Sequence, residues 1–357
     1  MNNKRIENLT YLRGIATLVV MLFHVTTIYD DKYLGGIFTP GWSGVEMFFV
    51  LSGFLMIYTY SPNTSAKEFI RKRIIRIIPA YWIYTIMVFA IQYVMFKLKN
   101  FCFIGWVYQE GMSLKEMIPN LLKALFLIPV NKSFLLPTAW TLSYEVLFYL
   151  LCLVLICRGK KTFYLMMSIW SIGSVINIAI GFSNEWISFV FSQYSLEFVM
   201  GILVAELVIN DKLGEIAGYV ATLIGTILIC VSWLMTITSC IDTQLFRLYV
   251  FGIPSAILLY GLCALELKAT NKIKWKDGLI KRFIRFIAKI SYSLYLMHYV
   301  IAWIIYRLLF ETVNNISEFA SRIPITIVIL MVVIIVICTS WILNVFVEEK
   351  NYKMHVA

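Results

Sequence analysis

The chain has 357 residues, of which 61% are hydrophobic and 14% charged, and its mean hydropathy of +0.82 lies far above that of soluble globular domains, in which about 45–50% of residues are apolar. This composition excludes a water-soluble fold and places the chain among polytopic membrane proteins. The formal charge of +11 follows mostly from membrane orientation, because the basic residues concentrate in alternate loops; nucleic acid is set aside as its explanation.

Apolar runs long enough to cross a hydrocarbon core of about 30 Å lie at 9–29, 42–60, 77–96, 138–157, 162–181, 187–209, 216–236, 247–265, 286–309 and 323–346. They predict an all-α bundle of about ten transmembrane helices. With the N-terminus inside, 22 of the 31 Lys and Arg fall in the inner segments, so both termini are expected to be cytoplasmic. Basic inner loops also suit anionic lipid headgroups or a phosphorylated ligand. The first run, LTYLRGIATLVVMLFHVTTIY, holds Arg13 and His24 and lacks a small-residue cleavage site after it, so it is expected to be an uncleaved helix. An ionisable group at a bilayer centre costs about 2.5–3.5 kcal/mol on insertion scales and usually faces a protein interior or an aqueous cavity. Eleven residues make about three helical turns, so both side chains share one face, roughly 16 Å apart along the axis.

The second run, GWSGVEMFFVLSGFLMIYTY, enters from outside and places Glu46 roughly 7 Å below the outer boundary. His24 is expected at the same depth, so a His24–Glu46 hydrogen bond is predicted, either as a catalytic pair that fixes the imidazole tautomer or as a polar clamp between helices. FIRKRIIRIIPAYW then supplies Arg71, Lys72, Arg73 and Arg76 before the third span. Arg73 and Arg76 are spaced i,i+3 and share a face suited to phosphates, although positive-inside topology alone explains a cluster there. In the outer segment 97–137, SLKEMIPNLLKALFLIPV has the periodicity of a helix lying along the outer interface and roofing a site.

The fourth run begins TAWTLSYEVLFYL, with Glu145 some 10 Å below the outer surface. Trp140 above it is either an interfacial belt residue or a platform for a sugar ring. Glu197 in SQYSLEFVMG and His298 in SYSLYLMHYV, beside Ser291, Tyr292, Ser293 and Tyr295, are further intramembrane polar groups with either packing or binding roles. The inner segment 266–289 is basic and amphipathic, as expected of a helix at the anionic inner leaflet. Seven cysteines, an odd number, imply no disulfide framework; a Cys102–Cys240 pair in outer segments is left open. One integral membrane domain, 1–357, is expected, without a soluble appendage, a low-complexity linker or an internal repeat of the kind transporters use.

Taken in order, Arg13 with His24 after ten intervening residues, GVEMFFVLSGF, FIRKRIIRIIPAYW, AWTLSYEVLFYL, LEFVMG and SYSLYLMH resemble the acyltransferase-3 family of integral membrane acyltransferases. The resemblance implies a bundle of about ten helices and transfer of an acyl group, commonly acetyl from acetyl-CoA, to hydroxyls of surface glycans and other acceptors, without a metal. It makes His24 the catalytic histidine and Arg13 its partner in the motif. Glu46 takes an acidic position that is often aspartate, Arg73 and Arg76 match the basic pair, and Trp140 and Glu145 match the family's tryptophan and glutamate. Some larger relatives carry an extracytoplasmic esterase-like domain, which is not expected after the tenth span of this chain.

The sequence-based expectation is therefore a multi-pass protein of the bacterial cytoplasmic membrane. His24, Glu46 and Glu145 are its catalytic candidates. Arg13, Arg73, Arg76, Trp140 and His298 are its substrate-binding candidates. Partners are acyl-CoA, a glycan or lipid-linked saccharide, and membrane lipids. His24 serves as general base or as acyl-carrying nucleophile, and both routes need a neutral ring nitrogen. A transporter or flippase for a polar or lipid-linked glycan also needs buried charges and a basic inner mouth; a glycan polymerase needs a large outer catalytic loop, for which 97–137 is the one candidate. No motif specifies the acceptor hydroxyl, acetyl against succinyl, or the oligomeric state.

Overall fold

The computed structural model describes residues 6–99, 114–128, 134–210, 212, 214–240, 242, 246–268, 277–310 and 323–350. Its helices are α1 (Asn8–Tyr29), α2 (Gly44–Tyr58), α3 (Ala66–Lys99), α4 (Leu114–Leu125), α5 (Trp140–Ile180), α6 (Glu185–Val190), α7 (Gln193–Ile209), α8 (Glu215–Ile237), α9 (Ile253–Lys268), α10 (Leu279–Lys289), α11 (Ser291–Phe310) and α12 (Ile325–Leu343). No strand occurs among the described residues.

Nine helical stretches among the described residues are long and apolar enough to cross a membrane. One of them, α5, is two helices. Gly159 adopts φ 80°, ψ 176°, a left-handed conformation that glycine reaches without a Cβ penalty. The rings of Phe148 and Trp170 lie 6.4 Å apart, whereas an unbroken helix would separate them by about 33 Å. The chain folds back at Gly159, and the ten apolar runs of the sequence are recovered. Their outward faces carry Leu165, Leu223, Leu234 and Ile334, each about 60% exposed. That is the reverse of a soluble pattern and suits contact with lipid. The protein is an all-α, multi-pass integral membrane protein.

Two compact units interleave along the chain. The first comprises residues 1–20, 39–68 and 144–289, and close backbone approach organises it. A Cβ on Gly53 would fall on the Phe198 carbonyl, and one on Gly201 on the Val50 carbonyl. Thus α2 and α7 pack main chain to main chain, as membrane helices do where small residues line a crossing. Gly225 and Gly261 bring α8 and α9 together in the same way, against Leu258 and Thr222. Phe49, Phe148, Trp170 and Phe198 stack around the α2–α7 crossing, with Phe148 and Phe198 centroids 4.3 Å apart. At the start of α1, Glu266 accepts from the Glu7 and Asn8 amides at 2.6 and 2.9 Å, placing a carboxylate on the positive end of the helix dipole. The basic segment does form a helix, α10. Its Leu279 and Ile280 are 84% and 75% exposed, and Gly14 of α1 sits against the Ile284 carbonyl. Asp277 accepts from Arg285, whose guanidinium holds that carboxyl below its usual range.

The second unit comprises residues 21–38, 69–143 and 290–357. Within it α1 and α11 run parallel, with His24 opposite His298 and the Tyr29 hydroxyl donating to the Ala302 carbonyl at 3.0 Å. Helix α3 is anchored to the start of α11 through Tyr292, whose hydroxyl donates to the Ile77 carbonyl at 2.8 Å.

Helix α4 forms where the periodicity predicts a helix, but it does not lie flat over the outer surface. Tyr81 donates to the Ala124 carbonyl at 2.6 Å and Trp82 to that of Leu125 at 2.9 Å, roughly 25 Å along α3 from its end at Lys99. Ser143 donates to the Leu127 carbonyl at 2.9 Å. The last carbonyls of a helix have no internal partner, and in a membrane such groups are tolerated only when protein satisfies them. Three side chains do so here. Leu135, Leu136 and Ala139 are likewise wholly buried, so the described parts of this segment are held inside the protein. Residues 100–113, which include Cys102, lie outside the described residues.

Candidate active site

The site candidate is built in the second unit. His298 Nδ1 lies 2.8 Å from the Leu294 carbonyl, one turn earlier in α11, and its Nε2 lies 2.9 Å from His24 Nδ1. His298 is wholly buried, whereas His24 is half-buried. Tyr299 meets the His24 ring edge-on at 5.2 Å and Tyr295 lies 6.2 Å from His298. Both nitrogens of His298, which the sequence reading takes as a substrate-binding candidate, are engaged inside the protein. It is the partner of His24.

Trp140 is brought to the same helix. Thr138 donates to the Leu296 carbonyl at 3.4 Å, and the hydroxyls of Thr141 and Tyr295 share a hydrogen bond at 3.0 Å. Thr138 and Thr141 thereby fix the half-buried Trp140 on the part of α11 that carries His298. Below it, Ser293 donates to Glu348, and Tyr84 reaches both, at 2.7 Å to the serine and 3.3 Å to the carboxylate. This closed network holds the start of α11 against α3 and the end of the last helix. Glu348 drew no attention in the sequence, where an acid after the last apolar run reads as an interface residue. Arg73 is half-buried with its guanidinium 5.2 Å over Phe69, and Arg71, Lys72 and Arg76 are exposed.

Glu46 and Glu145 belong to the first unit, where each carboxylate has a partner of its own. Arg247 Nε donates to Glu46 Oε1 at 2.5 Å, with both residues buried, and Glu46 Oε2 has no hydrogen-bond partner. The predicted His24–Glu46 bond is therefore not made. Instead a buried guanidinium takes Oε1 in a charge-assisted bond. Arg247 is further enclosed by Trp42 at 4.3 Å and Tyr194 at 5.3 Å. Glu197, wholly buried and without a hydrogen bond on either oxygen, lies within electrostatic reach of both charges. Glu145 accepts from Tyr149 one turn on in its own helix. Arg13 lies half-buried on the first-unit part of α1. The sequence reading counted Arg247 only as an outer basic residue. Its one signal is a cation directly before the apolar run LYVFG, which is a wide π-turn preceding Pro254, and such turns recur at special sites. Among the described residues no cluster of His, Cys, Asp and Glu could hold a metal ion.

The family model described as "Acyltransferase domain" matches residues 6–344. Among curated proteins, ORF330 of the Acidianus two-tailed virus, whose name carries the word acetyltransferase, is 38% identical over 81 residues, 23% of this chain and 24% of that protein. The exopolysaccharide production protein ExoZ of Rhizobium meliloti (strain 1021) is 31% identical over 136 residues, 36% of this chain and 37% of that protein. The matched regions thus cover about a quarter and about a third of those relatives' lengths. No solved structure matches the chain. The match of the family model to nearly the whole chain, together with a helical membrane bundle carrying the family's motifs, shows that this chain belongs to the acyltransferase-3 family of integral membrane acyltransferases.

Proposed function

We propose that the protein is a membrane O-acyltransferase that moves an acyl group, acetyl in the first instance, from acyl-CoA to a hydroxyl of a cell-surface or lipid-linked glycan. The observation that carries this reading is the half-buried His24 imidazole, backed by His298 at 2.9 Å, in a chain of an acyltransferase family. The name of the viral relative favours acetyl, and that of ExoZ favours a polysaccharide acceptor. The distribution of Lys and Arg supports a cytoplasmic position for both termini and for the start of α3 in a bacterial cytoplasmic membrane.

The donor supplies an activated acyl carbon as a thioester. Arg71, Lys72 and Arg76 are exposed beside the half-buried Arg73, a set that suits a polyphosphate and would hold the donor there. As general base, His24 accepts the proton of the acceptor hydroxyl while the new O–C bond forms and the C–S bond breaks, and it returns that proton to the departing thiolate. As nucleophile it would instead carry the acyl group itself. Trp140 offers a ring face to a sugar. Arg13 guides the polar arm of the donor, and Glu145, with Tyr149 as its partner, orients the acceptor.

The test deletes the gene, restores it as wild type or His24→Ala, and compares base-labile esters on isolated surface glycans by NMR and mass spectrometry. Only wild type should restore them, with free CoA as co-product in membranes. Wild-type ester levels in the His24→Ala strain would end the proposal. Movement of an unmodified glycan without CoA release would instead identify a transporter.

A further inference from the structure

The hydrogen bonds of His298 fix more than its own position. Its Nδ1 faces the Leu294 carbonyl at 2.8 Å. A carbonyl only accepts, so Nδ1 carries a proton and donates it. A neutral imidazole then has a lone pair on Nε2. That lone pair points at His24 Nδ1, 2.9 Å away, and a hydrogen bond forms only if His24 Nδ1 is the protonated nitrogen. The alternative is a doubly protonated His298, a full charge on a side chain with no exposed surface. Among the described residues its hydrogen-bond partners are the backbone at Leu294 and Tyr295 and the His24 ring, none of them an anion, and burying a charge without a counter-ion is costly.

We propose that His298 is a positioning residue that holds His24 in the Nδ1–H tautomer, which puts the lone pair of that ring on Nε2, the nitrogen the reaction uses. The Leu294 carbonyl, His298 and His24 form a one-way chain of donors and acceptors, and His298 fills the orienting place that a carboxylate holds in a catalytic triad. A carboxylate would also stabilise the imidazolium; a neutral histidine fixes direction without adding charge. Tyr29, donating to the Ala302 carbonyl at 3.0 Å, pins α1 and α11 in the register that keeps the two rings opposed. The inference rests on His24 being the reacting residue, but the tautomer itself can be read without turnover.

The chain contains three histidines, His24, His298 and His355, so full-length protein with ¹⁵N-labelled histidine in lipid nanodiscs gives a spectrum assignable by single substitution. His24 Nδ1 should show as a protonated ring nitrogen and His24 Nε2 as an unprotonated one, and His298→Gln, whose side-chain oxygen still accepts, should preserve that pattern. In His298→Leu the His24 resonances should shift toward a mixture of tautomers. Acyl transfer should follow, with kcat down roughly 10²–10⁴-fold in the leucine variant at an unchanged KM for acyl-CoA, and within about tenfold of wild type in the glutamine variant. A wild-type His24 protonated on Nε2, or equal loss of kcat in both variants, would overturn the assignment. A His24→Ala protein that still transfers acyl groups would refute the functional reading instead, whatever the spectrum shows.

Discussion

Glu46 and Arg247, 201 residues apart in sequence, form a buried ion pair with 2.5 Å between Oε1 and Nε. The pair joins the turn before α9 to α2, and Trp42 and Tyr194 close over the guanidinium. Breaking a buried pair by removing one partner strands the other charge, at about 3–5 kcal/mol. Glu46→Gln should therefore lower thermal stability of the detergent-solubilised protein. Glu197 can take over part of the charge of Arg247, so adding Glu197→Gln should cost more than the sum of the single substitutions. A double-mutant cycle of midpoints checks this, and additive values would refute the coupling.

Gly201 is the second test of the first unit. A Cβ there would fall on the Val50 carbonyl, which is backbone and has no rotamer to yield. Gly201→Val should cost at least the 1–3 kcal/mol typical of overpacking and reduce the yield of monodisperse protein. Gly214→Ala, where the nearest atom is an ordinary 3.6 Å away, serves as control. Equal behaviour of the two variants would show that the α2–α7 crossing is not set by its glycines.

The carbonyls at and just beyond the end of α4 draw on side-chain donors. Ser143→Ala leaves the buried Leu127 carbonyl without its donor, at about 1–3 kcal/mol, whereas Tyr81→Phe should cost less, because the Ala124 carbonyl also accepts from the Leu127 amide at 3.0 Å. Proteolysis or hydrogen exchange should show faster opening of residues 118–143 than of α7 or α9. Uniform exchange across the chain in both variants would argue against this anchoring.

Arg73 is the half-buried member of the basic cluster and stacks on Phe69. Arg73→Ala should raise KM for acyl-CoA roughly tenfold, as expected for one charge-assisted contact, while kcat changes little. Initial rates against donor concentration measure it. An unchanged KM would remove Arg73 from the proposed donor site.

The apolar runs and the loop charges were enough to read a ten-helix membrane bundle, and even the break between the fourth and fifth runs, because hydrocarbon imposes length and composition on every span. The identity of His24 as a special residue was legible for the same reason: an imidazole in such a run is expensive. Its partner was not. Sequence spacing resolves faces of one helix and depth in the membrane, and on those grounds Glu46, not His298, was the expected contact of His24.

What decided between them is the pairing of segments far apart in the chain. Arg247 claims Glu46, and the parallel register of α1 and α11 sets His298 against His24. The seating of the end of α4 against α3 was equally invisible, because an amphipathic period reports an apolar face and not whether lipid or protein covers it. Composition thus determined the solvent, the element type and the costly residues. Tertiary structure alone decided which buried polar groups satisfy one another, since that depends on hydrogen-bond distances between helices that no local pattern encodes.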